Sequence, residues 1–470
     1  MALTRRQALA TLGGAAASAA GCGSEPEAPA QPPNILFFLV DAQRNHTLGC
    51  AGHPIVKTPN VDGLAQHGVR FTNAFVTTAI CAASRASIFT GLVERTHGYT
   101  FGKPPVSAEH LANGYPAQLK NAGYQTGFCG KYGIRPKQYE YFDEYKEINR
   151  NPYFHEQPDR TLRHETELSA DFAEEFIAAS DGPFSLSVSF NASHAEDNDK
   201  IPGIGHFPWP KAMNGMYEDV EIPEPDLNDP GFREVLPEFF GEGSMNRQRY
   251  YWRWDTPEKY VTNMRAYYRM LSGVDNAIGR VIKALESKGI ADNTIIVYTG
   301  DNGYMMADRG MAGKWNHFEQ SLRVPLIIYD PRVDQGQEFR TVDEMALNID
   351  LAPTFLDFAG VDPVSQHQGR SLAGYVRGEN VDGWRNDFFC EHLMEREEIP
   401  KYEGVRGERY VYARYFEHDY EFLHDLHEDP QQISNYVDDE GYADVLHQMR
   451  GRCDELRDSY GGVYVTPEPA

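Results

Sequence analysis

Basic residues are in short supply in this chain: 44 Lys and Arg stand against 69 Asp and Glu, for a formal charge of −25. A nucleic-acid-binding surface displaces counterions with a face rich in Lys and Arg, and no basic run supplies one, so nucleic acid is excluded as a partner. Any anionic ligand must be held by a few local cations. Cysteine is scarce as well. The six cysteines, Cys22, Cys50, Cys81, Cys129, Cys390 and Cys453, fall at spacings that match no zinc or redox motif. No stretch reaches the ~18 apolar residues of a membrane span, and there is no internal repeat. With 41% hydrophobic and 24% charged residues the composition excludes disorder and collagen.

The N-terminus reads as a targeting segment, residues 1–21, rather than as fold. The pair Arg5-Arg6 is followed by a weakly apolar Ala and Gly run to Ala20 that is too short to span a bilayer. Paired arginines point to the twin-arginine export route. Ala19-Ala20-Gly21-Cys22 resembles a lipoprotein processing site, which would make Cys22 the acylated anchor; the plainer alternative is a cleaved signal. Residues 22–32, with their Pro and Ala, read as a tether between membrane and domain. The expected location is therefore outside the cytoplasm of a bacterium, periplasmic or membrane-anchored. Export also permits a disulfide among the remaining cysteines, with no pairing assignable.

The rest of the chain alternates buried strands with helices. Residues 35–40 form a continuous apolar run that ends at Asp41, as a strand covered on both faces requires. Further strands are expected over 123–129, 184–190, 294–299 and 324–329. The clearest helix is expected over 257–288, where Val261, Met264, Tyr268, Leu271, Val274, Ile278, Val281 and Leu285 recur every three or four residues. This alternation implies an α/β fold, a large, mostly parallel sheet sandwiched by helices, with ligands beyond the carboxyl ends of the strands. Asp41, Lys131, His194 and Asp301 all follow such strand ends. Residues 201–254, rich in Pro and aromatics, read as a long irregular insertion, uncommon unless it shapes a site. A catalytic domain is expected over 33–377. A smaller C-terminal antiparallel α+β subdomain is expected over 378–470, with a strand near 409–415 and a helix over 443–457.

The segment Cys81-Ala82-Ala83-Ser84-Arg85, running to Thr90-Gly91, carries the most chemistry. Thr90-Gly91 reads as a helix end, which puts Cys81 at the helix N-terminus, where free N–H groups favour an anion. Arg85, four residues on, shares its face. A nucleophile beside a cation at such a terminus suits an enzyme that attacks a charged ester. For an isolated Cys the ordinary alternative is a buried structural residue.

This segment resembles the signature of the formylglycine-dependent sulfatases, of the alkaline phosphatase superfamily. The resemblance extends over nearly the whole chain after residue 32. It takes in Pro33-Asn34-Ile35-Leu36 with Asp41, Thr58-Pro59-Asn60-Val61-Asp62, Gly130-Lys131, Thr299-Gly300-Asp301-Asn302-Gly303, Gly313-Lys314-Trp315, Arg323-Val324-Pro325 and Asp350-Leu351-Ala352-Pro353-Thr354. It implies that a formylglycine-generating maturation enzyme oxidises Cys81 to an aldehyde. One hydroxyl of the hydrated aldehyde attacks sulfur, and the other lets the sulfated intermediate collapse. It also implies that Asp41, Asp301 and Asn302 hold calcium, which all-oxygen ligands suit. Arg85, Lys131 and Lys314 supply the positive charge for the sulfate. His194, at the end of Ser189-Phe190-Asn191-Ala192-Ser193-His194, is the expected general acid, with a charge switch near neutral pH.

Three positions depart from the family pattern. Ala42 stands where a second carboxylate is common, leaving water or Gln43 to complete the metal shell. Gly133 stands where a His commonly follows the lysine by two residues, with His97 and His317 as stand-ins toward the substrate. Ala83 replaces the commoner Pro, which restricts the maturation enzyme that acts. The expected substrate is a sulfated saccharide. Two other readings stay open: a phosphonate or phosphate ester hydrolase of the same superfamily, and a degenerate sulfatase that only binds sulfated glycan. Asn302, where a phosphatase has His, argues against the first. The second would leave Cys81 unmodified.

Overall fold

The computed structural model describes residues 31–101, 104–137, 139–197, 206–333 and 339–465. The expected export signal, Cys22 and all of the tether before Gln31 lie outside the described residues.

Eight strands form the main sheet. In chain order they are β1 (Asn34–Val40), β2 (Val69–Phe71), β3 (Gln125–Gly130), β4 (Glu144–Glu147), β5 (Phe184–Phe190), β6 (Thr294–Gly300), β7 (Leu326–Tyr329) and β8 (Arg340–Val342). Their order across the sheet is β8-β2-β7-β6-β1-β5-β3-β4. Only β7 runs against its neighbours; every other pairing is parallel. The three strands without a sequence signal, β2, β4 and β8, have three or four residues each, too few to show a period.

The continuous apolar run of β1 is explained by burial on both faces. Ile35, Phe37 and Leu39 enter one hydrophobic core with Ala82, Ala86 and Phe89 of the Cys81–Thr90 helix. Leu36, Phe38 and Val40 enter the other, where they meet the helix Pro257–Lys288. That helix has the bounds its period predicts. The Thr256 side chain accepts from the Lys259 N–H at 3.2 Å at its start, and Gly289 ends it with φ of 75°. Its Asp275 carboxylate accepts the backbone N–H groups of Asn60 and Val61 at 3.0 and 2.9 Å, so it caps the helix Pro59–His67 from outside.

The register fixes where the polar residues emerge. Val40 lies level with Phe190 on one side and Gly300 on the other, and Gly130 lies level with Ser189. Asp41, Asn191, Asp301 and Lys131 therefore leave the sheet at one edge, the carboxyl ends of the parallel strands.

The C-terminal residues form an antiparallel meander, β9 (Asp387–His392), β10 (Tyr402–Gly407), β11 (Tyr410–Tyr415) and β12 (Tyr420–Asp425). One face, with Phe389, Val405, Tyr412 and Leu423, is covered by Leu446 and Cys453 of the helix Ala443–Ser459. The other face, through Phe388, Tyr402 and Tyr415, joins the core of the main sheet.

One expectation needs correction. The segment expected to be an irregular insertion contains the helix Met245–Arg253, started by the Ser244 side chain, which accepts from the Arg247 N–H at 3.1 Å. Its mixture of Arg, Tyr and Trp gives no apolar stripe, which hid it. The five described cysteines are all unpaired.

Candidate active site

A cavity of about 360 Å³ opens at this sheet edge, and Cys81, Lys131, His194 and Lys314 all line it. Cys81 is the first residue of its helix. Ile80 before it is extended and offers no side-chain cap, so the N–H groups of the first turn are left for an anion. Gly91 ends the helix at φ 69°, donating its N–H to the Ser87 carbonyl, as Thr90-Gly91 implies.

Arg85 shares the helix but does not face the cavity. It is fully buried, and its Nε donates to Asp301 Oδ2 at 2.8 Å. Its Nη1 donates to the Lys131 carbonyl and to Ser189 Oγ. One guanidinium thus ties the helix of Cys81 to the ends of β6, β3 and β5. The Lys131 ammonium pairs with Asp41 Oδ2, and Lys314 Nζ lies 3.7 Å from Asp41 Oδ1 with no hydrogen-bond partner. Gly130 makes the turn into Lys131 possible: its φ is 96°, and a Cβ there would lie 1.9 Å from the Ser189 carbonyl oxygen.

Asp41, Cys81 and Asp301 present ligand atoms within 4.8 Å of one another. Among the described residues, Asp41 Oδ1 and Asn302 Oδ1 are buried with no hydrogen-bond partner. The Asn302 amide is turned by its Nδ2, which donates to the Gly303 carbonyl at 2.7 Å. Burial would push the Asp41 carboxyl up, but Lys131, His194, Lys314 and Arg85 hold it well below the usual carboxylate range. The free Asp41 and Asn302 oxygens, beside the Asp301 carboxylate, fit a hard divalent cation.

His194 is buried, and its Nδ1 lies 2.7 Å from the Ala195 carbonyl oxygen, an acceptor that requires the proton on Nδ1. The expected charge switch near neutral pH is corrected here. Burial first, and then Arg150, hold the ring well below the ordinary histidine range, with Lys314 adding to the effect and Asp41 and Asp197 opposing it. The ring is therefore neutral at pH 7 in the free protein. Glu165 fixes the loop before it, accepting from the Ala192 N–H at 2.9 Å.

The departures resolve as follows. Ala42 adopts φ 59° and donates its N–H to Asp301 Oδ1 at 3.0 Å. Gln43 does not replace the missing carboxylate, because its Oε1 accepts from the Tyr298 hydroxyl. Gly133 has φ 76°, and a Cβ there would sit 3.0 Å from Arg85 Cδ. His97 and His317 are not brought to the cavity. His97 is buried, with Nε2 at 3.1 Å from Ser87 Oγ and Nδ1 accepting from the Tyr99 N–H, and burial pushes its pKa down to about 3. His317 is wholly buried between the Tyr415 hydroxyl and His424 Nε2, at 2.9 and 3.0 Å. Both lie packed away from the cavity that holds Cys81.

The cavity also contains residues that the motifs did not single out, Arg150, Asp197 and Arg249, beside Trp315. Arg249 comes from the helix Met245–Arg253, whose Asn246 Nδ2 donates to the Ala312 and Lys314 carbonyls at 2.9 and 3.0 Å. The segment read as an insertion therefore both lines the site and holds the Lys314 backbone. The i, i+4 spacing of Arg249 and Arg253 was the available signal.

A nucleophile position at a helix N-terminus, flanked by lysines and by buried carboxylates, defines a hydrolase of charged esters. Residues 33–361 match the Sulfatase family model, and residues 308–459 match that of the N-sulphoglucosamine sulphohydrolase C-terminal region. The chain belongs to the sulfatase family and is a sulfuric ester hydrolase. It is similar to an N-acetylglucosamine-6-O-sulfatase of Bacteroides thetaiotaomicron, with 27% identity covering 95% of this chain and 90% of the relative. An arylsulfatase of Clostridium perfringens is also 27% identical, over 89% of this chain and 93% of its own. Among solved structures, a phosphonate monoester hydrolase of Agrobacterium radiobacter is 25% identical, with a TM-score of 0.78 over 91% of this chain and 96% of its own.

Proposed function

We propose that this protein removes sulfate from a sulfated carbohydrate, with Cys81 matured to formylglycine and calcium held by Asp41, Asp301 and Asn302. The observation that carries this reading is the place of Cys81 at an uncapped helix N-terminus, in one cavity with Lys131, His194 and Lys314. The sulfatase relatives, one of them named for N-acetylglucosamine 6-O-sulfate, support the sugar.

As hydrated formylglycine, residue 81 supplies an oxygen nucleophile and a second hydroxyl whose deprotonation releases sulfate. Asp41, Asp301 and Asn302 would hold a calcium ion, which would supply Lewis-acid stabilisation of the charge that develops on the sulfate. The chain's own groups do the rest. The unpartnered Lys314 ammonium and Lys131 bind sulfate oxygens. Arg85 keeps Asp301 and the Lys131 backbone in place. His194, neutral in the free protein, takes up a proton beside the incoming anion and gives it to the leaving oxygen. Residues 33–377 act as the catalytic domain with 378–470 as its subdomain. Arg5-Arg6 and Cys22 deliver the protein beyond the cytoplasm on a lipid anchor, which Cys22→Ser should release into the soluble fraction.

One preparation tests the chemistry: the mass of the peptide containing residue 81, with turnover of nitrophenyl sulfate, nitrophenyl phosphate and a phenylphosphonate ester. Formylglycine with preferential sulfate turnover supports the proposal. Preferential phosphonate turnover would favour the second reading, which the likeness to the phosphonate hydrolase supports and Asn302 opposes. Unmodified Cys81 with glycan binding and no turnover would make the protein a binding module.

A further inference from the structure

We infer that the saccharide bearing the scissile sulfate carries a second anionic group, a carboxylate or another sulfate, received by Arg249 and Arg150. This rests on the sulfatase reading above and adds what the substrate must be.

The observation is an excess of guanidinium groups on one carboxylate at the cavity wall, with Arg150 and Arg249 half-buried and Arg253 buried. Asp197 Oδ2 accepts from Arg249 Nη2 at 2.9 Å, Asp197 Oδ1 accepts from Arg253 Nη2 at 2.6 Å, and Arg150 Nη2 lies 3.6 Å from Asp197 Oδ2. Three cations thus surround one anion. Among the described residues, no acceptor is assigned to Arg150 Nε or to Arg249 Nε and Nη1. Three guanidinium groups share one carboxylate, so the cluster keeps a net positive charge that a second anion in the cavity would balance.

The cavity holds other cations, among them Arg135, which is exposed. Lys131 and Lys314 face Asp41 and the scissile sulfate, and Lys137 pairs with Glu147. Of the three arginines around Asp197, Arg150 and Arg249 line the cavity while Arg253 stands behind them. The Arg249 guanidinium lies over the Trp315 ring at 4.7 Å, which fixes its plane. The bonds from Asn246 set its helix relative to Lys314. A planar guanidinium held this way suits an oxyanion on a sugar ring more than a neutral hydroxyl. A cavity of about 360 Å³ has room for a charged saccharide unit.

The test uses the active, full-length enzyme on nitrophenyl sulfate, a monosulfated neutral sugar, a disulfated glucosamine and a sulfated disaccharide containing a uronate. The expected kcat/KM for at least one doubly anionic substrate exceeds that for the neutral-sugar sulfate by roughly tenfold or more. Which of the two is preferred tells carboxylate from sulfate. In Arg249→Gln and Arg150→Gln this ratio should collapse, chiefly through KM. If either variant fails to fold, the unaltered enzyme still decides, because sulfate-free glucuronate should inhibit nitrophenyl sulfate turnover where glucose does not. Equal turnover of neutral and doubly anionic sugars, with no selective inhibition, overturns the inference while nitrophenyl sulfate turnover keeps the sulfatase reading intact. If no sulfate ester is turned over, both fail together.

Discussion

Arg85 Nε donates to Asp301 Oδ2 at 2.8 Å, and neither side chain is exposed at all. The contact joins the helix that presents Cys81 to the strand end that presents Asp301 and Asn302, so it sets the distance between the proposed nucleophile and the proposed metal ligands. Removing Arg85 leaves a buried carboxylate unpaired. Arg85→Ala should lower unfolding stability by about 3–5 kcal/mol in denaturant titration and abolish turnover. A variant as stable as the parent would show that Arg85 does not hold Asp301.

Ala42 occupies a left-handed conformation, with φ 59°, that Asp adopts more readily than Ala. Its N–H already donates to Asp301 Oδ1. Ala42→Asp adds a carboxylate beside Asp41, and calcium should then bind at least as tightly, with a Tm that rises at least as steeply with calcium as the parent's. Weaker calcium binding in the variant would contradict the assigned ligand set.

Gly133 tells the opposite story. Restoring the family histidine there places a side chain at φ 76°, with its Cβ against Arg85 Cδ at 3.0 Å. Gly133→His should destabilise by about 1–3 kcal/mol and lower kcat. Faster turnover by this variant would mean that the loop repacks around the ring.

How much of this was legible in the sequence follows from the physics of each signal. The apolar run of β1 and the period of Pro257–Lys288 were readable because burial on two faces, or on one stripe, leaves a pattern within one segment. Asp41, Lys131, His194 and Asp301 were readable because strand ends mark the ligand edge. The arginines around Asp197 were not, since Arg150, Asp197 and Arg249 come from three segments that only the fold brings together. Nor could spacing show that His97 and His317 are buried, or that Arg150 and burial keep His194 neutral.

That depressed pKa gives a pH test. The acid form of His194 is the minor one at neutrality, and it is lost as pH rises through its lowered pKa. The kcat/KM for a sugar sulfate should therefore fall with rising pH across the neutral range, while a nitrophenyl sulfate, whose leaving group needs no proton, should respond less. His194→Gln should cost about 100-fold to 10,000-fold on the sugar sulfate and much less on the aryl ester. Equal losses on both would make His194 a sulfate-binding residue.

The most direct test of the central claim is the mass of the peptide containing residue 81, taken from protein whose turnover of nitrophenyl sulfate is measured in the same sample. The account predicts formylglycine at position 81 in proportion to activity, and no turnover from a folded Cys81→Ala protein. Full activity from protein whose Cys81 is an unmodified thiol, or from Cys81→Ala, would contradict it.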